Sequence, residues 1–167
     1  MGGRLGELAQ LHSGHVKVLK GIDYIDFRDD HLSLSLKNAA SVRETPIHPV
    51  LIRMGFLDFV ASRRNSLELF PEYSRGKLGQ MAGAFSKRFG RLLDKLDLVD
   101  PDLVYHSLRH TTKTHLRQVC DESVAESIVG HEGKFYGGIL KLPVLLDVMK
   151  KTMFVEIKFD HLLKKAA

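Results

Sequence analysis

The chain has 167 residues, 44% of them hydrophobic and 27% charged, with a formal net charge of +5. That length suits one domain with a real core, and no stretch approaches the roughly 18 apolar residues that a membrane-spanning helix needs. The single cysteine, Cys120, excludes an internal disulfide framework and fits a reducing compartment.

The first residues, Met1-Gly2-Gly3-Arg4, lack the apolar stretch of a secretory signal. Leu5, Leu8 and Leu11 recur at helical spacing, which predicts a helix over Gly3 to Leu11. An apolar stripe so early in the sequence reads as a chain that begins partway through a larger protein. Residues 16 to 47 change character. Val16-Lys17-Val18, Tyr24 to Phe27, Leu32 to Leu36 and Val42 to Ile47 alternate apolar and polar, with Gly21, Asp29-Asp30 and Asn38 as turn signals. Three short antiparallel strands are expected there. Pro49 then suits the first turn of a helix over about 49 to 62, which ends in Arg63-Arg64-Asn65, cations where the helix dipole favours them.

Phe70-Pro71-Glu72 and the polar stretch through Gly79 read as a loop. Ala82, Phe85, Phe89, Leu92, Leu93 and Leu96 mark one face of a helix from about 80 to 96, with Phe85, Phe89 and Leu92 expected in the core. Another helix begins near His106. Cys120, between Val119 and Asp121, reads as a small buried filler at a helix junction. A short helix is opened by Asp121-Glu122 and stopped by Gly130, and a last one follows Pro143. The predicted fold class is mainly α (α+β): a helical domain over 1–167 with a small three-stranded antiparallel sheet near the N-terminus. Cations crowd the middle third (Arg63, Arg64, Arg75, Lys77, Lys87, Arg88, Arg91) and the tail (Lys150, Lys151, Lys164, Lys165). Such clusters fit either a solvated face or contact with nucleic acid.

The densest chemistry lies in Tyr105-His106-Ser107-Leu108-Arg109-His110, followed by Gly130-His131 and Tyr136. Imidazoles, a guanidinium and a phenol without a carboxylate suit an anionic target. His106 and Arg109, three apart at a predicted helix start, are expected to share a face. A helix N-terminus favours phosphate, and arginine's planar fork grips two oxygens at once.

These residues resemble the His-x-x-Arg box of the tyrosine recombinases, the phage-integrase family. Other landmarks follow in order. Gly3-Arg4-Leu5-Gly6-Glu7-Leu8 resembles the first-arginine segment. Leu36-Lys37-Asn38, then Ser41, Arg43 and Pro46-Ile47-His48-Pro49, resembles the hairpin that carries the family's catalytic lysine. Val129-Gly130-His131 resembles the Leu-Gly-His turn, and Tyr136 stands after it as the nucleophilic tyrosine does. The resemblance covers residue 3 to about 150 and concerns the catalytic domain; it implies an N-terminal core-binding domain outside this chain.

The resemblance implies a site-specific recombinase or integrase that cleaves and rejoins duplex DNA through a 3′-phosphotyrosyl intermediate. Tyr136 would be the nucleophile. Its ordinary pKa near 10 calls for help with the proton, a role the family gives chiefly to His106. Arg4 and Arg109 would clamp the non-bridging oxygens. Lys37 would protonate the departing 5′-oxygen, and His131 would bond the phosphate or steady the tyrosine. Glu7 reads as a partner orienting a nearby cation, and Tyr105 as packing. No metal and no cofactor is implied. The expected partners are double-stranded DNA and further copies of the chain assembled on it, with no membrane, in the cytoplasm of a bacterial cell or phage-infected host.

One departure stands out: His131 and Tyr136 are five residues apart, where family members have about nine residues between them. A catalytically impaired DNA-binding remnant is therefore the alternative. A type IB topoisomerase would share the chemistry. A zinc site built on His106, His110, His115 and His131 has helical ligand spacing but lacks the glutamate after the first histidine, where Ser107 stands.

Overall fold

Residues 1–28, 41–73, 83–131, 141–152 and 159 are described in the computed structural model. The early helix is shorter than its leucine spacing predicts. It runs Leu5–Ala9 (α1), with Arg4 as N-cap, and Leu11 lies beyond its end in the core. Three antiparallel strands follow, Val16–Leu19 (β1), Ile22–Phe27 (β2) and Arg43–Pro46 (β3), in the order β1-β2-β3. The turn between β1 and β2 needs left-handed backbone at both central residues, Lys20 (φ 51°) and Gly21 (φ 76°), which is the two-residue hairpin geometry matching strand twist. The expected segment Leu32 to Leu36 lies outside the described residues.

β2 departs from simple alternation, because Tyr24, Ile25, Asp26 and Phe27 are all buried. Asp26 is tolerated there because Lys17 Nζ donates to it at 2.8 Å and Arg28 also bonds it. The predicted helix over 49 to 62 is two helices, Pro49–Arg53 (α2) and Phe56–Ser62 (α3). Gly55 at φ 87° separates them, a backbone state that side chains with a Cβ resist. His48 caps α2 by accepting the Val50 N–H on Nδ1 at 3.2 Å, and Pro49 sits in the first turn.

The remaining helices are Gly83–Lys95 (α4), Tyr105–Val119 (α5), Glu122–Val129 (α6) and Leu142–Lys151 (α7). Their bounds follow from residues visible in the sequence: Gly130 (φ 69°) ends α6, and Pro143 opens α7. The fold is mainly α with a small antiparallel sheet near the N-terminus, as expected. α4 is the exception in packing. None of its described residues is buried; Leu92 is 48% exposed, and Phe85 and Phe89 are only half-buried, edge-on to Tyr105 at 5.2 and 5.8 Å. An apolar stripe predicted a core helix, but α4 meets aromatic rings of its neighbours rather than a packed interior.

Two apolar clusters hold the domain together. One joins α5, α6 and α7 through Leu116, Ala125, Ile128, Val129, Leu145 and Met149. The other gathers Leu11, Ile25, Phe27, Ile47, Val60 and Leu69 around the sheet. Met1 packs against both, and α6 and α7 pack on β3. β3 therefore carries its side chains to the seam between the clusters. Among the described residues no helix is long and apolar enough to cross a membrane.

Candidate functional site

Four residues from three elements meet at that seam. Arg4 precedes α1, whose first turn carries Glu7. The backbone N–H of Arg4 donates to Glu7 Oε2 at 2.9 Å, and its Nη1 donates to Glu7 Oε1 at 2.6 Å and to Ser41 Oγ at 2.8 Å. Glu7 thus ties off the helix start and holds the arginine side chain over it, the orienting role expected of it.

Arg43 reaches the same carboxylate from β3. Its Nη2 donates to Glu7 Oε2 at 2.9 Å, its Nη1 to the Ser41 carbonyl at 2.8 Å and its Nε to the Ile128 carbonyl at 3.2 Å. Its guanidinium stacks 4.1 Å from the centre of the Phe27 ring, its cross-strand partner. The side chain is only 6% exposed.

Arg109, one turn into α5, is buried. Its Nη1 donates to the Gly2 carbonyl at 2.7 Å and to the Val129 carbonyl, and its Nη2 to the Gly130 carbonyl at 3.3 Å. Arg43 and Arg109 therefore bond successive carbonyls at the end of α6, which are orphaned at any helix C-terminus. Gly130 is required twice over. Its φ is 69°, and a Cβ there would lie 2.6 Å from Arg43 Cζ and 2.9 Å from Arg43 Nε.

The charges register one another. Burial would raise the Glu7 pKa, but the charge and hydrogen bond of Arg43, with the hydrogen bonds of Arg4, hold it below the ordinary carboxylate range. Burial lowers Arg43, partly offset by Glu7. Arg109 is pushed down to about 10, first by burial and then by the charge of Arg4, with Arg43 adding to it and Glu7 opposing. The Met1 amino group, buried beside Arg43, falls to about 6. Three guanidiniums and one carboxylate gather at the seam, an excess of two positive charges, with Glu7 paired to Arg4 and Arg43 and Arg109 bonded to backbone carbonyls.

The other expected site residues divide. Arg109 points into the fold, while His106, one turn earlier on α5, is exposed with its ring edge-on to His110 at 4.8 Å. The expected common face is a difference of roughly 60° around the helix, enough to send one side chain inward and leave the other in solvent. His131 follows the Gly130 turn and is 53% exposed; its Nδ1 lies 3.6 Å from Glu126 Oε1, which also receives Lys113 Nζ at 3.0 Å. Lys37 and Tyr136 lie outside the described residues.

Tyr105 packs, as expected, and burial pushes its hydroxyl pKa up. Among the described residues no three histidine, cysteine or acidic side chains converge as a metal site. A cavity of about 340 Å³ adjoins Arg109, but Leu8, Leu11, Ile25, Phe56, Phe70 and Leu108 line it, so its walls are apolar.

Arg43 is the residue that sequence reasoning left without a role. Val42, just before β3, is 52% exposed, while Arg43 and Thr45 of β3 turn inward, the reverse of what hydropathy predicts. The available signal was parity: Arg43 shares a strand face with Thr45, which is fully buried and donates to the Ile128 carbonyl at 3.3 Å. No protein-family model, curated protein or solved structure matches this chain.

Proposed function

We propose that this chain is a tyrosine recombinase catalytic domain, which cleaves and rejoins duplex DNA through a 3′-phosphotyrosyl bond. The observation that carries the reading is the gathering of three arginines from distant parts of the sequence at one seam: Arg4 and Arg43 both bond Glu7, and Arg43 and Arg109 bond successive carbonyls at the end of α6. A phosphodiester in transit through a five-coordinate state gains negative charge on its equatorial oxygens. Preorganised guanidiniums offset that charge without reorganising.

In the reaction, the Tyr136 oxygen forms a bond to phosphorus as the bond from phosphorus to the 5′-oxygen breaks. His106 takes the phenolic proton and Lys37 delivers one to the 5′-oxygen. His131, held near Glu126, supports the phosphate or the tyrosine. The exposed cations Lys87, Arg88, Arg91 and Lys95 on one side of α4 suit contacts with the DNA backbone. The protein would act in the cytoplasm of a bacterial cell or phage-infected host, as several copies on paired sites.

A second reading, a DNA-binding remnant, is favoured by Arg109 itself. Three of its five N–H groups go to carbonyls of described residues, and Tyr136 follows His131 by only five positions. Incubation with nicked duplex substrates separates the two. A covalent protein–DNA adduct that disappears in Tyr136→Phe supports the enzyme. Salt-sensitive binding without an adduct supports the remnant.

A further inference from the structure

We infer that the apolar edge formed by α4 and the connection after it is a self-association surface, on which a second copy of this chain docks antiparallel about a two-fold axis. The inference uses neither the arginine seam nor strand cleavage. Every residue from Asp94 to Val104 is exposed, and Leu92, Leu96, Leu98, Val99, Leu103 and Val104 are between 38% and 82% exposed. A monomer seldom presents so many large apolar side chains along one stretch of chain. The stretch is nonetheless hydrogen-bonded. The Leu98 N–H donates to the Leu93 carbonyl at 3.0 Å, the Asp102 N–H to Asp100 Oδ1 at 2.9 Å and the Leu103 N–H to the Asp100 carbonyl at 3.1 Å. Phe85 and Phe89 hold α4 edge-on to Tyr105 behind it.

Charge selects the occupant. Lys87, Arg88 and Arg91 are exposed before Leu92, and Asp97, Asp100 and Asp102 are exposed after Leu96. Among the described residues neither set forms an ion pair within the chain. A parallel pairing of two copies would set cations against cations. An antiparallel pairing centred near Leu92 and Leu96 sets the cations of each copy against the aspartates of the other, twice over, which is the self-complementarity a two-fold interface needs. Leu92 and Leu96 are one turn apart and share a face. Asp94, between them in sequence, lies about 160° around the helix from Leu92, so the two like charges stay off the axis. Arg88, one turn before Leu92, flanks the apolar contact. The apolar side chains supply the affinity, and the charges fix the orientation. The same cations cannot serve a partner's aspartates and a DNA backbone at once, so the pairing describes the chain free of DNA.

The test is sedimentation velocity of the full chain without DNA, over about 1 to 200 µM, the range of dissociation constants open to a small interface. The wild-type chain is expected to pass from monomer to a species of twice its mass and to stop there, because a two-fold contact closes on itself. Leu96→Ser with Val99→Ser, both on exposed positions, should weaken the dimer at least about tenfold while helix content by circular dichroism is kept. Arg88→Glu with Arg91→Glu, and separately Asp100→Lys with Asp102→Lys, should each weaken it by a similar factor. An equimolar mixture of those two charge-reversed chains should dimerise again, since each reversed end then meets its opposite.

A wild-type chain that stays monomeric throughout, or that grows beyond the dimer without a plateau, overturns the proposal. So does a dimer indifferent to the serine pair, which would place the contact elsewhere on the molecule. A mixture of charge-reversed chains that stays monomeric overturns the antiparallel pairing. Should one charge-reversed chain not fold, the four substitutions combined in a single chain give the same reading, with recovery of the dimer expected and its absence counting against the pairing. None of these outcomes touches adduct formation on nicked DNA, so strand cleavage stands or falls separately.

Discussion

Replacing Gly130 by alanine tests the seam most sharply, because the same change at Gly21 supplies its control. Both glycines are left-handed, at φ 69° and 76°, so each alanine carries the same backbone cost of about 1 kcal/mol. They differ in surroundings. Among the described residues nothing lies within 4 Å of a Cβ at Gly21, whereas a Cβ at Gly130 meets Arg43 Cζ at 2.6 Å. That guanidinium is anchored by Glu7, Ser41 and Ile128, so it cannot swing aside as a surface side chain would. Displacing it weakens hydrogen bonds to a charged group, worth roughly 1.5–3 kcal/mol each, and leaves Glu7 short of a buried partner. The expected cost of Gly130→Ala is about 4 kcal/mol, leaving a gap of about 3 kcal/mol over Gly21→Ala. With a urea m-value of about 2 kcal/mol/M, the unfolding midpoints of the two variants should differ by about 1.5 M. A gap below about 1 kcal/mol would refute the claim that Arg43 is held against the α6 turn.

Glu7 gives a pH test. Its folded pKa lies below the ordinary carboxylate range, so its contribution to stability is complete above that range and lost as pH falls through the lower folded value. Urea midpoints between pH 6 and 3 should fall more steeply for the wild type than for Glu7→Gln; parallel curves would count against the pairing. In the helical cluster, Leu116 is 1% exposed, and Leu116→Ala should cost about 3 kcal/mol. Val99, 82% exposed, should tolerate alanine within about 0.5 kcal/mol by the same measurement. Burial and the nearby Asp121 charge push the Cys120 thiol pKa up, and its Sγ donates to the Leu116 carbonyl at 3.2 Å. Its reaction with a disulfide reagent at pH 7 should run at least about tenfold slower than that of a free thiol, and equal rates would place it in an open setting.

Helix ends were the most legible part of the sequence, because local chemistry sets them. Gly130, Pro143 and the Asp121-Glu122 pair end or open helices wherever they occur in a favourable run. The predicted helix over 49 to 62 failed locally, at Gly55, whose left-handed backbone splits it. Prediction of a buried face on α4 failed for a different reason. Periodicity tells which side of a helix is apolar, and it does not tell whether anything stands opposite. Leu92 and Leu96, at 48% and 57% exposure, are the result. Arg43 eluded hydropathy because its burial is bought by a partner, Glu7, that lies 36 positions away.

By itself, the sequence determined the element order, most helix termini, the small antiparallel sheet and a set of residues chemically suited to phosphate. Those properties depend on neighbours within a few positions, where spacing and backbone preference decide. Only the tertiary structure decided that Arg4, Glu7, Arg43 and Arg109 gather at one seam, with His106 turned to solvent. Charges far apart in sequence stabilise a fold only when packing brings them within bonding distance and removes the water between them, and no local pattern encodes that distance.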